Sequence, residues 1–314
     1  MLEPEKKMAV FTCESVGILY EYILKSSSVE KISLGKVISS FPSSLNIRTS
    51  GNELLVMSLN KISSPITINV KPQTVNANFT GIADYGCEVN KLHNRIAVGT
   101  GLLLQTGRPR LFRNRFIKPT YNGFNKFKDA ADKVLYVLRK STRSGCLLEP
   151  DITNEGLLDK FITETVKNIS RYRDDNKFAQ RVTHSLMNLC GRGPGFTPSG
   201  DDFICGFTAL FNWLSPSEQS PTLSLPMQRV YHLTSWISSK FIEYYQRIIV
   251  DEQIQDMINA VGEGRTDQCI SLLEKISCRG HTSGVDIGTG FTSALFTFSD
   301  RFRGTKLLDT VQRT

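Results

Sequence analysis

The spacing of apolar residues changes about a third of the way along the 314-residue chain. Up to about Phe116, short apolar runs lie between turn-forming residues, and Ile66-Thr67-Ile68-Asn69-Val70 alternates with period two, as in a half-buried strand. Leu54-Leu55-Val56-Met57 and Ile96-Ala97-Val98 are further strand candidates. From Lys126 the apolar residues recur at helical spacing. The pattern predicts an α+β fold: a β-rich domain over 1–118, a sheet or small barrel, then an all-helical domain over 119–314.

Several helices are expected in the second half. Apolar stripes run over 127–138, 157–169 and 178–189, and Gly191 ends the third stripe. A very apolar helix is expected from Asp201 to about Leu214, followed by an exposed break at 215–221. Helical patterns then resume near 230–249, 252–261 and 267–276, and a last helix extends to about Phe298.

A ten-residue motif occurs twice, 84 residues apart and with six identities. The first copy starts at Ser199-Gly200-Asp201-Asp202 and the second at Ser283-Gly284-Val285-Asp286; both end in Gly-Phe-Thr. A Ser three residues before an Asp at the start of an apolar segment is the signature of a capping box, so Ser199 and Ser283 are predicted N-caps. The same offset places Leu186 and Leu189 over Ile270 and Leu273, which favours a degenerate internal repeat of helical units, roughly 151–214 and 227–300.

A helix start carries unpaired N–H groups and partial positive charge, so two similar starts can share one anionic ligand. The loop Gly191-Arg192-Gly193-Pro194-Gly195-Phe196-Thr197-Pro198 has glycines for close backbone approach and prolines for stiffness. The shorter Arg279-Gly280-His281-Thr282 offers similar donors before the second copy. Gly206 and Gly290 lie in mid-helix, where Gly costs about 1 kcal/mol against Ala, so they mark either close helix contact or ligand contact.

Four side chains are candidates for chemistry. Asp202 and Asp286 occur in both copies and fit either capping or catalysis. Asp201 corresponds to Val285 in the second copy, so the repeat does not require its carboxylate. That carboxylate is then free either to bind metal or substrate or to complement the helix dipole. His281 either donates to a carbonyl or phosphate or forms a hydrogen bond in a turn.

Composition narrows the class of protein. Seven scattered cysteines without a C-x-x-C pair indicate reduced thiols in a cytoplasmic protein, and no signal peptide or membrane span is expected. The net charge of +8 is concentrated partly in Arg108, Arg110, Arg113, Arg115 and Lys118. This basic cluster is either a solvated face, a support for a small dianion or a nucleic-acid patch, and no nucleic-acid module accompanies it. Walker, Rossmann and serine-nucleophile patterns do not fit.

The motif Gly191-Arg192-Gly193-Pro194-Gly195-Phe196-Thr197-Pro198-Ser199-Gly200-Asp201-Asp202-Phe203 resembles a bacterial family with the pattern G-x-G-x-G-[LF]-T-P-S-G-D-D-[FL]. That family was long described as a domain of unknown function, is sometimes labelled a carboxylase, and includes the AllH-type subunit of oxamate carbamoyltransferase from anaerobic allantoin catabolism. The later Gly280-His281-Thr282-Ser283-Gly284-Val285-Asp286 is similar to its second signature. The resemblance covers the helical half. The β-rich half agrees with the family only in its position along the chain and in its strand-like pattern.

The resemblance implies an enzyme subunit that acts with partner subunits to convert oxalurate and phosphate into oxamate and carbamoyl phosphate. Asp201 and His281 would be catalytic, with Asp201 also a possible ligand of Mg²⁺. The residues expected to bind the anionic substrate are Gly193, Gly195, Thr197, Ser199, Gly200, Asp202, Thr282, Ser283, Gly284 and Asp286. Two alternatives remain open: a non-catalytic scaffold subunit of such a complex, and a phosphate- or ATP-dependent carboxylase or kinase-like enzyme.

Overall fold

The computed structural model describes residues 8–21, 31–73, 78–118, 131–142, 144–147, 175–215 and 222–303. The chain divides into two compact units, Met1–Asn114 and Arg115–Thr314. The described strands belong to the first unit and the described α-helices to the second. The predicted α+β class, with β structure before helices, is confirmed.

The first unit is one nine-stranded sheet. Its strands are β1 (Ala9–Gly17), β2 (Ile32–Phe41), β3 (Ser44–Thr49), β4 (Leu54–Ser58), β5 (Thr67–Pro72), β6 (Glu88–Leu92), β7 (Arg95–Val98), β8 (Leu102–Gln105) and β9 (Arg110–Phe112). The order is β5-β4-β3-β2-β6-β7-β8-β1-β9, and β1 also pairs antiparallel with β5, so the sheet closes on itself. A short 3-10 helix, Ile18–Tyr20, follows β1.

Closure of the sheet explains the apolar residues in these strands, because one face of each strand lines the interior of the closed sheet. Phe11, Ile47 and Ile68 are fully buried, and the Phe11 and Phe79 rings stack with centroids 5.5 Å apart. The three predicted strands, near 54–57, 66–70 and 96–98, are confirmed as β4, β5 and β7.

The second unit contains eight α-helices in the described residues. They are α1 (Ala131–Lys140), α2 (Asp175–Met187), α3 (Ser199–Leu214), α4 (Met227–Leu233), α5 (Trp236–Gln246), α6 (Glu252–Glu263), α7 (Thr266–Ser277) and α8 (Ser283–Arg303). The predicted pattern near 230–249 proves to be two helices, because Ser235 begins a new one by accepting a hydrogen bond from Ser238 N at 3.1 Å. The stripe at 157–169 and most of the break at 215–221 lie outside the described residues.

Helix α3 is the centre of this unit. All 16 of its residues are buried, from Ser199 to Leu214. Phe203, Phe207 and Phe211 lie one turn apart and stack along one side, with successive ring centroids 6.0 and 5.8 Å apart. A helix that is apolar on every side must be surrounded, and α8 and α5 contact it most extensively.

Within the described ranges, no helix has both the length and the apolar character needed to cross a bilayer.

Candidate functional site at the paired helix starts

Helices α3 and α8 cross at the two glycines that the repeat singled out. A Cβ on Gly206 would lie 1.9 Å from Ile287 O, and a Cβ on Gly290 would lie 2.0 Å from Phe203 O. These positions correspond under the 84-residue offset, so each helix meets the other through the same surface. Only residues without a side chain allow this backbone approach. The prediction of close helix contact is confirmed.

One further glycine in each motif copy allows the helix start to pack closely against the chain that precedes it. A Cβ on Gly200 would lie 1.9 Å from Leu189 O, and one on Gly284 would lie 1.9 Å from Ile276 O. Leu189 and Ile276 are 87 residues apart, so the residues packed against the two helix starts correspond with an offset of 87, not 84. The predicted match of Leu189 with Leu273 is therefore wrong, because the first connecting loop is three residues longer.

The same glycines use their backbone donors internally. Gly200 N donates to Arg192 O at 2.8 Å, and Gly284 N donates to Arg279 O at 3.2 Å. These N–H groups support the loops in front of the helices. A part for Gly200 and Gly284 in substrate binding stays a prediction.

The predicted capping by the two serines is wrong. Ser199 is the first residue of α3, after Pro198, and its hydroxyl donates to Gly145 O at 2.9 Å. Helix α8 likewise begins at Ser283, whose hydroxyl lies 3.0 Å from Thr197 Oγ1. Partners 54 and 86 residues away have replaced the local bond that a capping box would form.

The two helix starts therefore meet through side chains. Thr197 Oγ1 lies 3.0 Å from Ser283 Oγ and 3.1 Å from Asp202 Oδ2, to which it donates. The Ser283 hydroxyl also lies close enough to Asp202 to lower the pKa of that carboxyl group. One carboxyl group of the first copy is thus held by hydroxyls from both copies.

Asp286 occupies the equivalent place in the second copy but has different partners. Its Oδ1 accepts a hydrogen bond from Leu147 N at 2.8 Å. Its Oδ2 is buried and has no hydrogen-bond partner. The hydroxyls of Ser199 and Thr282 lie near enough to influence this carboxyl group, but the single proton of Ser199 goes to Gly145 O.

Residues 144–147 form a third wall of the site. Besides the bonds to Ser199 and Asp286, a Cβ on Gly145 would lie 3.0 Å from Pro194 Cγ and 3.9 Å from Thr282 Cγ2. Gly145 has φ of +88°, a conformation that favours glycine. The segment contacts the connecting loops of both copies.

Burial dominates the electrostatics of the two carboxyl groups. It raises the pKa of Asp202 to about 8, against hydrogen bonds from Ser283 and Thr197 and with a further increase from the charge of Asp286. It raises the pKa of Asp286 to about 7, against the Leu147 N–H and the Ser199 and Thr282 hydroxyls. Two acids in the range used for proton transfer at neutral pH therefore lie at the helix starts.

Asp201 does not project into this site, contrary to the prediction that its carboxylate is free. It is fully buried. Its Oδ1 accepts from Gly191 N at 2.7 Å, and its Oδ2 accepts from Ser238 Oγ at 2.6 Å and from Thr234 Oγ1. The Cys190 thiol is also hydrogen-bonded to it; burial first, and then this carboxylate, raise the pKa of Cys190 to about 12. Asp201 thus joins the loop at Gly191 to the start of α5.

Magnesium does not fit at Asp201. Mg²⁺ needs oxygen ligands in octahedral arrangement, and the donors just described occupy the carboxylate oxygens. Across the described segments, no group of three or more His, Cys, Asp or Glu side chains is arranged to hold a metal ion.

Gly193, Gly195 and His281 lie in the exposed loops before the two helices, residues 192–196 and His281, which we call the mouth of the site. Gly193 and Gly195 have φ of +102° and +103°, and residues 192–196 are all exposed. His281 is exposed beside the buried Thr282 in the shorter loop. Successive backbone groups in such loops can bind an anion. The structure brings together residues from both copies, with Asp286 and Ser199 beneath and the two loops outside.

Arg279, expected as a donor for substrate, has another partner. It forms a two-pronged ion pair with Asp251 at 2.7 and 2.8 Å and also bonds to Gln253. Burial alone would raise the pKa of Asp251, but the charge and hydrogen bonds of Arg279 outweigh it and lower that pKa. This guanidinium fixes the loop before α8 to the start of α6, since Asp251 also accepts from Gln253 N and Ile254 N.

Sequence reasoning missed Gly145 and Leu147, whose backbone atoms complete the site, and Thr234 and Ser238, which hold Asp201. Only the Ser-Gly-Cys-Leu string at 144–147, after the helical stripe, could have marked a turn. Nothing local to Thr234 or Ser238 indicates a carboxylate 33 or 37 residues away.

The fold and site define an α+β protein whose helical unit places two buried acids and four hydroxyls at paired helix starts. The model of the family described as oxamate carbamoyltransferase subunit AllH matches residues 189–295, in agreement with the resemblance seen in the sequence. The match begins two residues after the end of α2, extends to Leu295 in α8 and includes both motif copies. The family's name supports a subunit associated with a carbamoyltransferase and suggests a complex of several subunits. No curated protein and no solved structure matches the chain significantly.

Proposed function

We propose that the paired helix starts are the substrate site of an oxamate carbamoyltransferase subunit. The subunit works with partner subunits on oxalurate and phosphate, or on oxamate and carbamoyl phosphate in the reverse direction. The observation that carries the proposal is the position of the family match, which covers both motif copies, together with the 3.0 Å contact between Thr197 of one copy and Ser283 of the other.

The chemistry requires small anions to be held while a carbamoyl group moves. A phosphate oxygen forms a bond to the carbamoyl carbon of oxalurate as the bond from that carbon to the oxamate nitrogen breaks. Hydrogen phosphate loses one proton and the leaving nitrogen gains one, so atoms and charge balance. Fixed donors near the developing oxyanion lower the barrier to such a step.

The residues support a division of labour. The anionic groups of the substrates would bind at the exposed loop that contains Arg192, Gly193 and Gly195. His281, in the loop before the second motif copy, would contribute a further donor. The hydroxyls of Thr197 and Ser283 lie between this mouth and the buried acids, where they would orient the amide or phosphate. Asp201 instead acts as a positioning residue for the loop.

A scaffold role is the second candidate. Ser199 and Asp286 are fully buried, and a network sealed in this way would also serve to fix two helix starts against a catalytic partner.

Thr197→Val tests the proposal, since it removes one hydroxyl while keeping the side-chain shape. In the complex with partner subunits, it should lower carbamoyl phosphate formation from oxalurate and phosphate by about 100-fold, as for loss of one oxyanion donor. Thr208→Val is the matched control in α3, because Thr208 bonds only to carbonyls of its own helix. Full activity of Thr197→Val would reject the catalytic role and favour the scaffold.

A further inference from the structure

The outer side of the closed sheet has a groove beside the turn between β6 and β7. Its volume is about 520 Å³, within the range of about 300–1,000 Å³ of small-molecule pockets. Four apolar side chains and three side chains with hydrogen-bond donors line it. The groove lies in the first unit, outside the residues that the family model matches. It is therefore a candidate ligand site separate from the paired helix starts.

The floor of the groove is apolar, although it lies on the solvent side of the sheet. Ala97 is paired with Leu103 across β7 and β8, so both side chains point to the same face. Ile96, next to Ala97, is 1% exposed and points into the closed sheet, which places Ala97 and Leu103 outside. Met8 and Leu92, also in the lining, are 51% and 41% exposed. Since a solvated sheet face normally carries polar residues, this apolar patch indicates a surface that another molecule covers.

One end of the groove carries hydrogen-bond donors. Arg95 lies opposite Leu92 across β6 and β7. It is exposed, and its side chain has no hydrogen-bond or ion-pair partner among the described residues. The turn between the two strands is His93-Asn94, and Asn94 O accepts hydrogen bonds from Thr106 N at 2.9 Å and Thr106 Oγ1 at 2.8 Å. These bonds fix the turn, so its side chains and the guanidinium stand beside the apolar floor.

The charge around the groove selects the kind of ligand. Nine of the 38 Lys and Arg residues lie within 89–128, a segment without Asp or Glu. The acidic residue of β6, Glu88, forms an ion pair with Lys36 at 3.0 Å. A guanidinium that no carboxylate neutralises binds carboxylate, sulfonate or phosphate groups through charge-assisted hydrogen bonds. The donor end of the groove therefore favours an anionic group.

We propose that this groove binds a small molecule in which one anionic group is attached to an apolar body. Arg95 binds the anionic group, His93 and Asn94 add donors, and the apolar body covers Ala97 and Leu103. An inorganic anion leaves the floor exposed, and a neutral apolar molecule leaves the guanidinium without a partner. The site goes beyond the proposed carbamoyl transfer, because oxalurate, oxamate and carbamoyl phosphate have no apolar body.

Two fluorescent probes that share one aromatic skeleton test both requirements on the purified protein. Anilinonaphthalenesulfonate carries a sulfonate, and phenylnaphthylamine is the same skeleton without it. Fluorescence titration should give one site per chain for each probe, with a dissociation constant about tenfold lower for the sulfonate, as expected for one charge-assisted hydrogen bond.

Arg95→Gln should remove the preference for the sulfonate and leave binding of the neutral probe unchanged. Because Arg95 is exposed, this variant should fold as the wild type does. Arg113→Gln is the matched control, since Arg113 is an exposed arginine of the same unit that does not line the groove. It should keep the tenfold preference, which rules out a general effect of net charge.

Leu103→Thr tests the floor, because it removes apolar surface and keeps a residue that favours strands. Both probes should bind about fivefold more weakly, with their ratio unchanged. Equal affinity of the wild type for the two probes, or equal affinities of Arg95→Gln and wild type for the sulfonate, would overturn the proposal.

Vesicles that contain phosphatidylglycerol distinguish a free ligand from a lipid with the same chemistry. For a free small molecule, the wild type should not sediment with the vesicles. Sedimentation that Arg95→Gln abolishes and Arg113→Gln retains would assign the anionic group to a membrane lipid and would overturn the small-molecule site.

Discussion

The starts of α3 and α8 share one backbone arrangement and differ in the side chains around it. Gly200 and Gly206 correspond to Gly284 and Gly290 in both sequence and contacts. Around them, the first copy has a longer, exposed loop and the buried Asp201, whereas the second has a short loop fixed by a buried ion pair and Val285. The shared glycines and acids build the geometry, and the unshared residues leave the first loop exposed and anchor the second loop.

The variant with the largest expected effect on stability is Arg279→Ala. Arg279 and Asp251 are mostly buried, with 22% and 13% of their side chains exposed, so removal of the guanidinium leaves a buried carboxylate without its cation. The free energy of unfolding should fall by about 3–5 kcal/mol. Chemical denaturation at pH 7 measures it.

Arg192→Ala is the control from the first copy, since Arg192 stands at the corresponding place before its helix and is exposed. Its effect on stability should stay within about 0.5 kcal/mol. Similar losses of stability for both variants would mean that the two loops are anchored alike. The contrast between an exposed loop before α3 and an anchored loop before α8 would then be wrong.

The helix crossing provides the next test. In Gly206→Ala the new Cβ meets the main chain of α8 at Ile287 O, which cannot turn away as a side chain could. Stability should fall by about 3 kcal/mol, the upper end of overpacking effects.

Gly288→Ala is the matched variant within α8. Its Cβ would lie 2.6 Å from Leu273 Cδ1, the end of a side chain that can move, and Ala is favoured over Gly in a helix by about 1 kcal/mol. Thermal unfolding should place Gly288→Ala well above Gly206→Ala. The reverse order would show that the helices do not meet at Gly206.

Asp201→Asn should lower the free energy of unfolding by about 1–2 kcal/mol, because one carboxylate acceptor is lost while Thr234 and Ser238 can reorient their hydroxyls. Folded Asp201→Asn in the assembled complex should retain carbamoyl transfer near the wild-type rate when assayed below its melting temperature. Loss of turnover without loss of stability would support the catalytic role that the family resemblance implied for Asp201.

Short-range patterns predicted much of this structure. Period-two alternation located strands such as β5, helical spacing located α6 and α7, and the repeat located the crossing of α3 and α8. Gly206 and Gly290 were informative because a mid-helix glycine has an energetic cost that close contact can offset.

Hydrogen-bond partners were not predictable in the same way. The capping box failed because Gly145 O and Thr197 Oγ1, both distant from their serines in sequence, compete for the hydroxyls. Asp201 was expected to be free because Val285 replaces it in the second copy; absence from one copy shows only that the repeat does not need it. Its partners on α5 follow from tertiary structure, which local pattern does not contain.

The backbone contact between α3 and α8 has a consequence for protein engineering. Because main-chain atoms fix the distance between the helix starts, the connecting loops can change composition without moving the acids beneath them. Libraries that vary Arg192, Pro194, Phe196 and His281, with Gly193, Gly195 and the four crossing and anchoring glycines retained, should therefore yield many folded proteins with altered ligand preference. The chain offers a scaffold in which recognition can be redesigned separately from architecture.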